Sequence, residues 1–147
     1  MEIRPLSDSD LPAASRVLWK SFYEAEKHNT SMDGMERYRD LVDPISLAVN
    51  SADGSVLFFG AFDPDLVAVG ALKEKGHVLL LYVLPEYAGR GVGSALLDRL
   101  ESLCETDRVT LNASDGAVPF YEKRGYRKTG ERMVQEGMIV TPMEKKS

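Results

Sequence analysis

The chain has 147 residues, 44% of them apolar and 28% charged, with a net charge of −5 and one cysteine. That size and balance fit one globular domain spanning 1–147, with a full core and no need of disulfides. The acidic balance argues against a nucleic-acid surface, a lone Cys104 cannot form an internal bridge, and no apolar run approaches the roughly 20 residues of a membrane helix. The start, MEIRPLSDSD, has no cationic stretch leading into an apolar one, so a cytoplasmic location without a signal peptide is expected.

Glu2–Pro5 reads as a short edge strand, bordered by Pro5. Ser7 and Ser9 are candidate caps for a helix to about Lys27, whose apolar residues Leu11, Ala14, Val17/Leu18 and Phe22 recur at helical spacing. Asn29–Asp33 interrupts the pattern, and a second helix is expected over about Gly34–Val42. Asp43–Pro44 then opens either a short helix through Asn50 or a strand over ISLAVN. SVLFFGAF (55–62) and LVAVGALK (66–73) flank the turn DPD and form an antiparallel hairpin. His77–Leu84, HVLLLYVL, is an unbroken apolar run of the kind buried on both faces at the centre of a sheet. A helix to about Glu105 follows, with Val92, Leu96, Leu100 and Leu103 inward and Cys104 on its apolar stripe. Next come a short strand (Val109–Asn112), a helix over Gly116–Arg124, and two closing strands, Tyr126–Val134 and Met138–Glu144. This order describes an α/β (α+β) fold: one mixed sheet of about six to seven strands flanked by about four helices.

The chemistry concentrates between strand and helix, in LLLYVLPEYAGRGVGSALL (79–97). Gly89, Gly91 and Gly93 let the backbone turn tightly and bring bare amides close to a ligand, and the helix that opens there adds unpaired N–H groups and a dipole end. Together they suit a phosphate or pyrophosphate. A Walker-type loop is excluded, because no lysine follows the last glycine. A dinucleotide fingerprint fits poorly: four residues (Pro85–Ala88) separate Leu84 from the first glycine, the third glycine comes one position early, and no acidic residue ends VTLN. Arg90 within the loop is either an anion ligand or a solvated side chain.

VLPEYAGRGVGSALL resembles the acetyl-coenzyme A motif of the GNAT superfamily of N-acetyltransferases, and AVPFYEKRGY (117–126) resembles that superfamily's second block. The resemblance runs through essentially the whole chain, loosest over Asn29–Asp53. It departs at Ala88, where the family usually has Arg or Gln, and at Ser114, where many members have Asn. It implies acetyl-CoA as cosubstrate, held by Leu81, Val83 and Leu84 on the strand, Ala88, Gly89, Arg90, Gly91, Val92, Gly93 and Ser94 in the loop, and Ser114 and Tyr121 beyond. No metal is implied. The resemblance further implies direct attack of an amine on the thioester. A main-chain donor near Val83 would face the carbonyl, and Tyr121 would protonate the departing thiolate.

The base is left open. On strict alternation His77 shares the face of Leu79, Leu81 and Val83, and an imidazole titrates near neutrality. Glu74, Tyr82, Tyr23, Glu24 and a water chain are alternatives. The acceptor, a small-molecule amine or a protein amino group, is expected between the first two helices and the sheet end, near Trp19, Phe22, Tyr23, His28, Met32, Met35 and Tyr38. There Glu24, Glu26, Asp33 and Glu36 either attract a cation or form a solvated face. A homodimer is plausible for such a domain. Two other functions stay in view, a non-catalytic acyl-CoA sensor of the same fold and an enzyme acting on aminoacyl-tRNA, and the acidic balance speaks against the second.

Overall fold

A computed structural model describes all residues 1–147. Eight strands form one sheet in the order β1-β2-β3-β4-β5-β8-β6, with β7 also paired to β8. The strands are β1 (Glu2–Pro5), β2 (Val56–Phe62), β3 (Leu66–Lys73), β4 (His77–Val83), β5 (Arg108–Ser114), β6 (Arg127–Lys128), β7 (Met133–Gln135) and β8 (Met138–Lys146). Five helices accompany them: α1 (Leu11–Glu26), α2 (Met32–Leu41), α3 (Pro44–Ser51), α4 (Val92–Ser102) and α5 (Val118–Glu122). The mixed α/β sheet is as expected, with more strands and one more helix.

The extra elements have local causes. Asp43 caps α3, its Oδ1 accepting from the amides of Ile45 (2.9 Å) and Ser46 (3.2 Å), and Pro44 occupies the first turn, so ISLAVN is helix rather than strand. The expected strand 126–134 is split into β6 and β7, which pair with β8 on either side of Pro142. A proline offers no amide for the ladder, and Gly130 lies against its ring at the break. The helix after the glycines stops at Ser102, so Cys104 lies beyond it and is half-buried at the edge of the core.

Two apolar layers sandwich the sheet. Leu96, Leu97 and Leu100 of α4 and Tyr121 of α5 pack on one face, against Ala68, Leu72 and Val78. Leu11, Ala14, Val17 and Leu18 of α1 and Leu47 of α3 pack on the other, against Val69, Ala71 and Leu80. No helix is long and apolar enough to cross a membrane.

Where α1 begins, Arg4 Nη1 pairs with Asp10 Oδ2 at 2.9 Å and the Ser7 amide donates to the same oxygen at 2.7 Å. The guanidinium first, then the amide, hold the Asp10 carboxyl at about 2. A carboxylate depressed in the folded state adds stability above its unfolded pKa and loses it as pH falls through the folded one. The melting-temperature gap between wild type and Asp10→Asn is therefore expected in full at neutral pH. It should close between the ordinary carboxylate range and pH 2. A gap that stays constant over that window would contradict the assignment.

Candidate active site

The centre of the sheet is not continuously paired. β4 and β5 are the one parallel pair, and they share only two rows, His77↔Thr110 and Val78↔Leu111. Beyond these the strands part. Leu79–Tyr82 on one side and Asn112–Ser114 on the other enclose a small cavity of about 70 Å³, which Ala117, Tyr121 and Met138 also line. Backbone groups on the inner edges of such a gap are free to pair with an extended ligand laid between them.

The glycine loop stands at the open end. After a 3-10 turn over Pro85–Tyr87, Ala88 is extended, and Gly89 (φ 75°) and Gly91 (φ 81°) take left-handed conformations that side chains resist. Ala95 is the first amide of α4 with a helical acceptor, the Gly91 carbonyl at 3.0 Å. The amides of Val92, Gly93 and Ser94 precede that bond and have no acceptor within the helix, and the loop residues Gly89, Arg90 and Gly91 lead directly into them. A Cβ built at Gly89 or Gly91 meets nothing within 4 Å, so the space over the loop is open. Gly93 packs inward, and its Cβ would lie 3.5 Å from Val83 Cγ2 and 3.6 Å from Phe120 Cζ. The exposed Arg90 lies over the Tyr87 ring, 5.1 Å from its centroid.

The two expected catalytic side chains lie on opposite faces. Tyr121 is 7% exposed, on α5, and lines the inter-strand cavity. Burial, then repulsion from Glu26, pushes its phenol well above the usual tyrosine range, so the proton stays on. His77 does not share a face with Leu81 and Val83, contrary to strict alternation. Ala71 pairs with Leu80 while Leu72 pairs with Val78, which leaves Leu79 as an unpaired extra residue in β4. Such a bulge shifts the alternation by one. Leu81 and Val83 therefore pack toward α4, whereas His77 and Leu79 face the α2 side. His77 Nδ1 is bonded to Thr110 Oγ1 at 2.8 Å, at the closed end of the gap. Burial, then Lys73, lowers its pKa, so it stays neutral.

On the α2 side a cleft of about 680 Å³ runs beneath α2 and α3, lined by Phe22, Arg37, Tyr38, Lys73, His77 and Gln135 among others. Leu79, Asn112 and Met138 line both this cleft and the inter-strand cavity, so the two spaces adjoin. Of the residues expected around an acceptor, Phe22 and Tyr38 are brought here, their rings stacked at 3.6 Å. Met32 (82% exposed) and Tyr23 (44% exposed) face outward instead. α2 is anchored over the cleft by close backbone approach at Gly137 (φ 82°), where a Cβ would lie 2.8 Å from Gly34 Cα. The Ser31 amide donates to the Gly137 carbonyl at 2.9 Å.

Of the four carboxylates expected either to attract a cation or to form a solvated face, Glu26 is not solvated. Glu26, in the last turn of α1, is 2% exposed. Burial raises its carboxyl above the usual range, while the Ser114 and Tyr82 hydroxyls pull the other way. The signal was its spacing: Glu26 follows Leu18 and Phe22 at four-residue steps, a carboxylate on the buried stripe.

A parted parallel pair faced by a helix mouth with free amides is a geometry that suits an extended, phosphate-bearing ligand. The family model for the acetyltransferase (GNAT) domain matches residues 26–147, and the chain belongs to that family. It is 28% identical over 142 residues to an uncharacterized N-acetyltransferase of Archaeoglobus fulgidus, covering 93% of this chain and 97% of that one. Among solved structures, it resembles a GCN5-related N-acetyltransferase from Rhodopseudomonas palustris with TM-score 0.85 and 27% identity, over 99% of this chain and 95% of that one. The PaiA N-acetyltransferase of Thermoplasma acidophilum, solved with coenzyme A, gives 0.82 and 26%, over 99% and 98%.

Proposed function

We propose that the chain transfers an acetyl group from acetyl-CoA to a primary amine, of a small molecule or a protein, by direct attack on the thioester. The observation that carries this is the parted β4–β5 pair, open toward the Gly89–Ser94 amides and lined by Tyr121. In this reading the diphosphate rests on those amides and the pantetheine arm completes the sheet between β4 and β5, beside Leu81, Val83 and Ser114. Leu84 holds the strand end in place, its amide bonded to the Val67 carbonyl at 2.9 Å. Ala88 contributes main chain alone, and the proton kept on Tyr121 is available to the leaving thiolate. The coenzyme A complex of the Thermoplasma relative supports the choice of cosubstrate.

Incubation with acetyl-CoA and a panel of amines, followed by titration of free thiol, tests the proposal. Amine-dependent release of coenzyme A is expected. A folded sample that neither binds acetyl-CoA nor releases thiol with any amine would refute it.

A further inference from the structure

Glu26 is a buried carboxylate, and none of the ion pairs in the protein includes it. Isolated buried charge is costly, and removing its counter-ion is normally destabilising, so a position like this calls for another explanation. The groups that face it carry no positive charge. Tyr82 of β4 donates its hydroxyl to Glu26 Oε2 at 3.4 Å. Tyr38 of α2 presents a buried hydroxyl that has no partner. Tyr121 of α5 and Asp115 after β5 are near enough to act on Glu26 through their charge, and Asp115 is already paired with Arg132 at 2.7 Å. Just past the end of α1 the neighbouring cation, Lys27, is engaged with Glu24 at 3.8 Å. The surroundings are hydroxyl-rich and negative, and they adjoin both the inter-strand cavity, through Tyr82, and the acceptor cleft, through Tyr38.

We propose that Glu26 is the proton acceptor of the reaction, reached through the Tyr82 hydroxyl, and that the acceptor substrate is therefore an alkyl amine bound as its ammonium ion. The proposal rests on the acetyl-transfer reading above and deepens it. The ammonium gives one proton to Tyr82 Oη as the Tyr82 proton passes to Glu26 Oε2. The free lone pair then attacks the thioester carbonyl, forming the C–N bond. When the C–S bond breaks, sulfur takes the Tyr121 proton, and the nitrogen's remaining surplus proton restores the phenol. Glu26 releases its proton to water after product leaves. The 3.4 Å Tyr82–Glu26 bond is long, as catalytic hydrogen bonds often are before substrate arrives. The burial that keeps Glu26 from lining either space is then no obstacle, because only a proton has to reach it.

The test is the pH dependence of kcat/KM with a primary alkyl amine that the wild type acetylates, beside an arylamine, which is neutral at the same pH. With the alkyl amine, the wild-type rate should rise through the raised carboxyl range and then level off. Glu26→Gln should be about a hundredfold slower at pH 7 and climb about tenfold per pH unit toward the amine's own pKa, since it depends on amine already neutral in solution. Tyr82→Phe should behave likewise, and the double variant should be no worse than either alone, as for residues acting in one relay. The arylamine, which needs no deprotonation before attack, should lose little in any of them.

Should Glu26→Gln fail to fold, Glu26→Asp and Tyr82→Phe carry the test, the aspartate keeping the levelled profile at a reduced rate. A single variant that keeps the wild-type rate and profile, or a double variant whose losses multiply, overturns the Glu26 assignment while leaving acetyl transfer standing. A wild type inactive toward every amine removes the acetyl-transfer reading itself.

Discussion

Gly91→Val is expected to weaken coenzyme A binding by at least about a hundredfold while leaving the protein folded. Gly91 caps α4 at φ 81°, where a β-branched residue is a backbone outlier, and of order 1–3 kcal/mol of strain results. Nothing in the protein lies within 4 Å of the new Cβ, so the core is untouched. The loop relieves its strain by turning, and the amides of Gly91, Val92 and Gly93 lose their common aim. Hydrogen bonds to a charged group contribute about 1.5–3 kcal/mol each, and two lost ones come to two or more powers of ten in affinity. Gly93→Ala is the internal control: its φ is ordinary and its Cβ would find normal contact with Val83 and Phe120, so the loss should be small. Calorimetry with coenzyme A measures both. Equal affinities in the two variants would mean the helix mouth does not hold the diphosphate.

Tyr121→Phe is expected to lower kcat by about 10²–10³ with coenzyme A affinity nearly unchanged, a range typical of removing a positioned acid. The ring is buried beside Phe120 and Tyr126, with centroids at 5.1 and 5.5 Å, and phenylalanine preserves that packing. The change removes one proton from the wall of the inter-strand cavity and little else. The raised phenol pKa keeps that proton in place at neutral pH, so it is present at the cavity wall when the C–S bond breaks, and the nitrogen's surplus proton offsets the phenol's weak acidity. If thiol release stays at the wild-type rate, Tyr121 is packing and the thiolate departs without help.

The site divides into what local chemistry encodes and what packing creates. The glycines at 89, 91 and 93 declare a tight turn at a helix mouth, and Tyr121 follows from the block around it, so both are legible in the chain. His77 is a failure of period-two reasoning: one unpaired residue, Leu79, reverses the faces, and nothing in an apolar run such as HVLLLYVL marks where that residue falls. Glu26 differs again. Its place on the α1 stripe is visible, yet its meaning depends on Tyr82, Tyr38 and Tyr121 arriving from three other elements. The split between β6 and β7 turns on Pro142, a residue of the neighbouring strand.

Because only two rows stitch β4 to β5, the sheet is mechanically two leaves, β1–β4 and β5–β8, joined through its middle by a seam no wider than the pairing of the two-residue rim strand β6. An extended molecule bonded to both inner edges would act as a strut across that seam. Its arrival should be felt as slowed amide exchange along 79–83 and 112–114 together, a stiffening shared by both leaves.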